Sequence, residues 1–250
     1  MTEQEAHADT VTLNEQAQNR LAALKLVYPE KNFQLIDGTG GSDGMIFVEE
    51  GKPDVVYKVT QGWRLLYGEA EARALYLMAQ QGIAPTFVEY IPADSRQDTY
   101  YDRYPDSRGQ DEHSLKPFLE YYFGDDFMMR TEFQAQGLEH SILVMGRVNF
   151  QQEESINIDI KEKIQEMLRL AKEVIALKLS LNDTELQFDY PTRRYLFLDC
   201  GGVKVAKKVD TKYILETLLW IADHIAGNVA EKNELEKIAF RVVEGSVQLM

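Results

Sequence analysis

Cysteine is almost absent from this 250-residue chain: Cys200 is the only one. That excludes an internal disulfide and any zinc site built on thiolates. Histidine is scarce as well, four residues scattered without metal-ligand spacing, so a bound metal would have to rely on carboxylate and other oxygen ligands. No run of about 20 apolar residues, the length a membrane-spanning helix needs, occurs anywhere. The opening Met1-Thr2-Glu3-Gln4-Glu5 has neither the basic flank nor the apolar stretch of a signal peptide. The expected address is the cytoplasm, or a host cytoplasm if the protein is an exported effector. Basic residues are outnumbered 27 to 41, a formal net charge of −14. General binding to nucleic acid or to anionic membranes draws on clustered Lys and Arg and is not expected here. Internal repeats and low-complexity blocks are also missing.

What is present is a 44% hydrophobic composition, enough to build the core of one large domain or two small lobes. After a polar tip at residues 1–11, the capping box Thr12-Leu13-Asn14-Glu15 opens a helix that ends before Pro29, with Leu13, Ala17, Leu21 and Leu24 on one face. Strands are expected at Phe33–Ile36, Met45–Glu49 and Val55–Val59, the last two joined by a turn at Gly51-Lys52-Pro53-Asp54. Helical spacing of Leu66, Ala70, Ala74, Leu77 and Met78 runs from Leu65 to Gln80, and Gly82 supplies a stop. A fourth strand follows at Thr86–Ile91.

The long segment from Pro92 to Glu139 is rich in Asp and Tyr, with a helix expected near Leu115–Tyr122. At that length it is either functional or partly disordered. Ser141–Val148 is a further strand, and Ile160 to about Leu179 a strong helix with Ile164, Leu168, Ala171, Ile175 and Leu179 in its buried stripe. A loop at Ser180–Gln187, a hairpin turning at Asp189-Tyr190-Pro191-Thr192, and a helix from Thr211 to about Ala226 complete an α+β order. The expected division is 1–28 for the tip and first helix, 29–150 for a sheet-bearing part with an insert at 92–139, and 151–250 for a helical part.

Three features carry chemistry. The segment Gly38-Thr39-Gly40-Gly41-Ser42-Asp43-Gly44 lies between two strands, where glycines let backbone N–H groups approach a phosphate. Lys58, in Val55-Val56-Tyr57-Lys58-Val59, shares a strand face with Val56, an apolar setting in which an ammonium needs an anionic partner. Glu69 and Glu71 on the next helix are both available, and Glu71 is preferred because Leu75 and Met78 then follow at packing distance. Finally, Tyr195-Leu196-Phe197-Leu198-Asp199-Cys200-Gly201-Gly202 is an apolar strand that delivers a carboxylate into a glycine turn. A magnesium ion bridging nucleotide phosphates calls for an oxygen ligand at such a rigid strand end.

In this order the elements resemble the protein-kinase-like superfamily, which includes aminoglycoside-phosphotransferase-like enzymes and minimal kinases among bacterial effectors. The resemblance spans about residues 33 to 225. It implies a two-lobed fold, an antiparallel-sheet lobe and a small truncated helical lobe, with ATP and Mg2+ as cofactors. By the same resemblance Gly38, Gly40, Gly41 and Gly44 belong to the phosphate lid, Lys58 pairs with phosphates and with Glu71, and Met145 to Val148 form the hinge beside adenine. Gly82-Ile83-Ala84-Pro85 looks like the junction after the glutamate helix, and Asp199 would be the metal aspartate, with Cys200 where Phe is usual.

The catalytic loop departs from the family's H-x-D-x-x-x-x-N. With Gln187 at the metal-binding position, Asn182 stands at the base; one residue on, Asp183 becomes the base and Phe188 takes the metal position. Asparagine accepts no proton, so Asp183 is the candidate base and Gln187 the candidate metal ligand. About fifty residues after Asp199 leave little room for the peptide platform of a eukaryotic-type kinase, which favours a minimal kinase or a small-molecule phosphotransferase. The acceptor would be a protein or a small molecule. Two alternatives stand beside this one. The chain is a nucleotide-binding pseudokinase or another transferase on the same scaffold, or it is a non-catalytic module whose acidic, tyrosine-rich insert docks a basic partner.

Overall fold

A computed structural model describes residues 3–37, 44–62, 65–109, 118, 120, 125–149, 158–182 and 184–249, with side chains from Glu15 onward. The fold is α+β, and the chain divides into two compact units. The first comprises residues 1–72, 87–113 and 122–147, the second residues 73–86, 114–121 and 148–250.

The first unit is built on five antiparallel strands in the order β1-β2-β3-β5-β4: β1 Phe33–Asp37, β2 Gly44–Glu49, β3 Lys52–Gln61, β4 Phe87–Ile91 and β5 His140–Gly146. Alternation along each strand sorts side chains to two faces. Met45, Phe47, Tyr57, Val59, Ile91, Ile142 and Val144 form one face and pack with Ala23, Leu24, Val27 and Tyr28 of α1, Glu3–Val27. A fully buried Leu or Phe here is worth roughly 1.5–3 kcal/mol of transfer free energy.

Helix α1 starts well before the expected capping box at Thr12. The preceding residues Glu3, Gln4, Glu5 and Ala6 are good helix formers, so nothing in them halts a helix at Thr12. The β2–β3 turn is also tighter than expected, two residues with Gly51 at φ 83°, and Pro53 lies in a bulge between Glu49↔Lys52 and Val48↔Val56. A two-residue hairpin requires positive φ, and a bulge is where a strand tolerates proline.

Most of the expected helix near Leu115–Tyr122 lies outside the described residues. Elsewhere the insert has structure: a short helix α3, Tyr100–Arg103, and a stretch whose backbone bridges Tyr90 through Tyr90 N–Met128 O and Arg130 N–Tyr90 O, 2.9 Å each. That stretch covers the outer edge of β4, which would otherwise present unpaired backbone groups.

The opposite sheet face carries Val56, Lys58, Leu143, Met145 and Tyr90, and the first turns of α2, Leu65–Gln80, belong to this unit. The rest of α2 belongs to the second unit. Its described residues include three long helices, α4 Ile160–Ala176, α5 Thr211–Ile225 and α6 Val229–Val243, packed on one another. Asp159, Asp210 and Asn228 cap their N-termini, each accepting a backbone N–H with its side chain. Buried Lys163 on α4 reaches Glu231 on α6 at 2.6 Å, and Gly227 N donates to the same carboxylate oxygen.

Helix α4 stops before the expected Leu179. Lys178 turns into the left-handed region at φ 55°, which releases Leu179–Ser180 as β6 to pair with β9, Lys204–Val205. A hairpin of β7, Leu186–Asp189, and β8, Arg194–Phe197, stands between these two strands in sequence. Among the described residues no helix is long and apolar enough to cross a membrane.

Candidate functional site

In the first unit, the candidate site begins at Lys58. Strand alternation points it away from α1, opposite Leu143 on β5 and Ile46 on β2. Its Nζ lies 2.6 Å from Glu71 Oε1 on α2, the two side chains 14% and 12% exposed. An ion pair this dry recovers little net stability, because desolvating both charges offsets their attraction. What the pair does is geometric: it holds the ammonium at a defined place beside α2.

Two glycines shape the surroundings of this pair. At Gly44, where β2 begins, a Cβ would sit 3.1 Å from Thr60 Cγ2 and 3.3 Å from Lys58 Cε, so a side chain there would crowd the lysine stem. At Gly68, three residues before Glu71 on α2, a Cβ would fall 2.7 Å from Tyr90 Oη. Tyr90 is buried and its hydroxyl lies 3.4 Å from Ser141 Oγ, which in turn accepts from Ala93 N at 3.1 Å. Burial pushes the Tyr90 phenol well above its ordinary value and keeps it protonated. Gly68 thus lets the helix backbone rest directly on a fixed ring. Met145, the expected adenine neighbour, is buried on β5 opposite Val56. Gly38, Gly40 and Gly41 lie outside the described residues.

In the second unit, the β7–β8 hairpin delivers Asp199. Leu186 pairs with Phe197 and Gln187 with Leu196, and one step further Leu198 N donates to Glu185 O at 2.9 Å. Asp199 follows, half-buried, its Oδ1 accepting from Gly201 N at 3.1 Å. Cys200 is buried with its Sγ 3.7 Å from Met78 Sδ. Since β6 pairs with β9, the loop leaving β6 and the turn entering β9 spring from neighbouring strands.

This register places the side chain of Gln187. Gln187 is on the hairpin face shared with Glu185 and Leu196, and its side chain donates to Glu185 Oε1 at 2.7 Å. Asp199 belongs to the other face, with Phe197 and Leu186, so the structure does not bring Gln187 to it. The recorded pairing ends with Leu186–Phe197 and the Leu198 N–Glu185 O bond; continued one further pair it would set Thr184 opposite Asp199. Thr184 is 8% exposed, and its buried Oγ1 has no hydrogen-bond partner among the described residues. Sequence spacing gives no sign of Thr184, because strand register is set by pairing across the hairpin. Asn182 donates to Ser180 Oγ at 3.2 Å, and Asp183 lies outside the described residues.

Among the described residues no three His, Cys, Asp or Glu side chains gather into a metal-binding group. Magnesium held partly by nucleotide phosphates needs fewer protein ligands than that, and a carboxylate such as Asp199 at a strand end suits it chemically. Compared with known proteins, the chain matches no family model and no curated protein. Its functional reading therefore rests on its own residues.

Proposed function

We propose that the protein is an ATP- and magnesium-dependent phosphotransferase on a two-lobed, protein-kinase-like scaffold with a small helical second lobe, acting on a protein or small-molecule hydroxyl. The observation that carries this reading is the Lys58–Glu71 pair, a half-dry ammonium on the third strand of an antiparallel sheet, met by a carboxylate from the next helix. Protein kinases hold nucleotide phosphates with a lysine and a glutamate so placed. An ammonium carries three N–H donors, so a lysine paired with a carboxylate is chemically able to hold phosphate oxygens as well.

Further support comes from Asp199, which ends an apolar strand in a glycine turn, and from the order of long helix, short strand, loop, hairpin and return strand around it. In this reading Gly38 to Gly44 cover the phosphates and Met145 lies beside the base. Asp199, with the Thr184 hydroxyl, would hold Mg2+, which neutralises charge on the phosphoryl oxygens. Asp183 takes the proton of the attacking hydroxyl as its oxygen bonds to the γ-phosphorus and ADP leaves.

A second reading is nucleotide binding without transfer. It is favoured by the loop itself, where Asn182 and Gln187 are primary amides, which accept no proton from a hydroxyl, and donate their N–H groups to Ser180 Oγ and Glu185 Oε1.

Thermal unfolding with ATP, with and without magnesium, tests both readings without an acceptor. At about a hundred times its dissociation constant a ligand stabilises by ~2.7 kcal/mol, or roughly 5–10 °C for a chain of this size. A magnesium-dependent shift that disappears in Lys58→Ala and in Asp199→Ala is expected. No shift in wild type would remove both readings, and a shift without ATP turnover under any acceptor tried would leave the second.

A further inference from the structure

Against its strongly acidic whole, the chain holds one basic row. Lys204, Lys207, Lys208 and Lys212 fall within residues 203–212, where Asp210 is the one acid, and nothing acidic occurs from Cys200 to Val209. Lys208 pairs with Asp210 at 3.1 Å and Lys212 with Glu216 at 3.6 Å. Lys178, Lys204 and Lys207 are exposed and have no ion-pair partner among the described residues. Lys178 belongs with them because its carbonyl accepts from Ala206 N at 2.7 Å.

The same place has an open strand edge. Ala206–Lys178 is a hydrogen-bonded position of the β6–β9 ladder, which makes Val205, opposite Leu179, a non-hydrogen-bonded one. Its N–H and C=O point away from β6. The outer edge of β6 is already covered, since Tyr213 Oη donates to Leu179 O at 2.6 Å, whereas no hydrogen bond fills the outer edge of β9 at Val205 among the described residues.

We propose that β9 is a docking edge for an extended acidic peptide, which adds its backbone beside Val205 and places Asp or Glu side chains against Lys204, Lys207 and Lys178. Backbone pairing supplies affinity and the lysines supply choice, because lysines on a strand edge repel neutral association and favour a strand of opposite charge. A peptide strand is the occupant that fits. Nucleic acid or an anionic membrane would bring an extended negative surface against the rest of a molecule carrying −14, whereas a single strand meets only the basic row. Assigning the bound peptide to the phosphate acceptor rests on the phosphotransferase reading; the docking itself does not.

The test is fluorescence anisotropy of a short labelled peptide of alternating Glu and Val, titrated with the full chain in the absence of nucleotide. Binding is expected at about 20 mM salt, weaker at about 200 mM, and reduced about tenfold in Lys204→Glu/Lys207→Glu. Lys161→Glu/Lys237→Glu, on the exposed faces of α4 and α6, makes the same charge change elsewhere and is expected to retain binding. The proposal is overturned if wild type fails to bind at low salt or if both double variants lose binding equally. It is overturned as well if phosphatidylserine vesicles or single-stranded DNA bind through Lys204 and Lys207 while the peptide does not. Peptide binding by a protein that shows no magnesium–ATP shift would keep the docking edge and sink only its link to an acceptor.

Discussion

At the scale of single residues, glycine does the placing and tyrosine sets the limit. Gly68 occupies a helix interior, where it is worth about 1 kcal/mol less than alanine, and it removes a Cβ that would press into Tyr90 Oη at 2.7 Å. Gly68→Ala is therefore expected to gain helix propensity and lose more through overpacking, since the buried Tyr90 has nowhere to swing; a net loss of about 1 kcal/mol in urea unfolding follows. With the helix displaced, Glu71 leaves Lys58 and the magnesium–ATP shift shrinks. Adding Tyr90→Phe removes the atom that clashes, and the double variant should recover both the stability and the shift. Recovery of neither would show that Gly68 does not set the position of α2. Lys58 itself was legible from strand alternation. The reason for Gly68 was not, because the ring it accommodates comes from a strand more than twenty residues later.

At the scale of elements, the β7–β8 register decides which loop side chain accompanies Asp199. Counting along the loop pointed to Gln187, but pairing across the hairpin turns Gln187 to the face of Glu185 and Leu196, and the same register continued one pair would set Thr184 opposite the aspartate. Thr184→Val separates stability from function. Removing a buried hydroxyl without a partner should stabilise the ligand-free protein by about 1 kcal/mol, while the magnesium-dependent part of the ATP shift falls. Gln187→Ala is expected to leave that shift unchanged. If Gln187→Ala abolishes it and Thr184→Val does not, the hairpin register is the wrong guide to the metal ligands. Helix α1 makes a related point, since its face of Leu13, Ala17, Leu21 and Leu24 was readable as amphipathic but the sheet face against which Leu24 packs was not.

At the scale of the whole molecule, charge and burial act on stability in opposite directions as pH falls. Acidification relieves the self-repulsion of a −14 chain. His140 works the other way. Burial first, and the nearby Arg20 charge second, lower its pKa from 6.5 to about 4. The unfolded chain takes up this proton below about pH 6.5 and the folded one not until about pH 4, so the stability linked to neutral His140 is complete above that window and declines through it. The difference amounts to ~2 kcal/mol after allowing for solvent screening. Wild type and His140→Phe compared by urea unfolding between pH 7 and pH 4 should diverge, with the variant's stability falling less; parallel curves would mean that His140 titrates normally in the folded state.

Local order determined much of this protein. Apolar periods of two and of about 3.6 residues marked the strands and helices, alternation sent Lys58 away from Tyr57 and Val59, and an apolar run ending in Asp-Cys-Gly-Gly marked a carboxylate at a strand end. The α+β class follows from those patterns, and they involve neighbours in the chain. Only the tertiary structure decided that Gly68 rests on Tyr90, that Gln187 turns to the hairpin face of Glu185 and Leu196, and that no hydrogen bond among the described residues fills the outer edge of β9 at Val205. Each of these depends on register or packing between segments distant in sequence, where a shift of one residue turns a side chain to the opposite face.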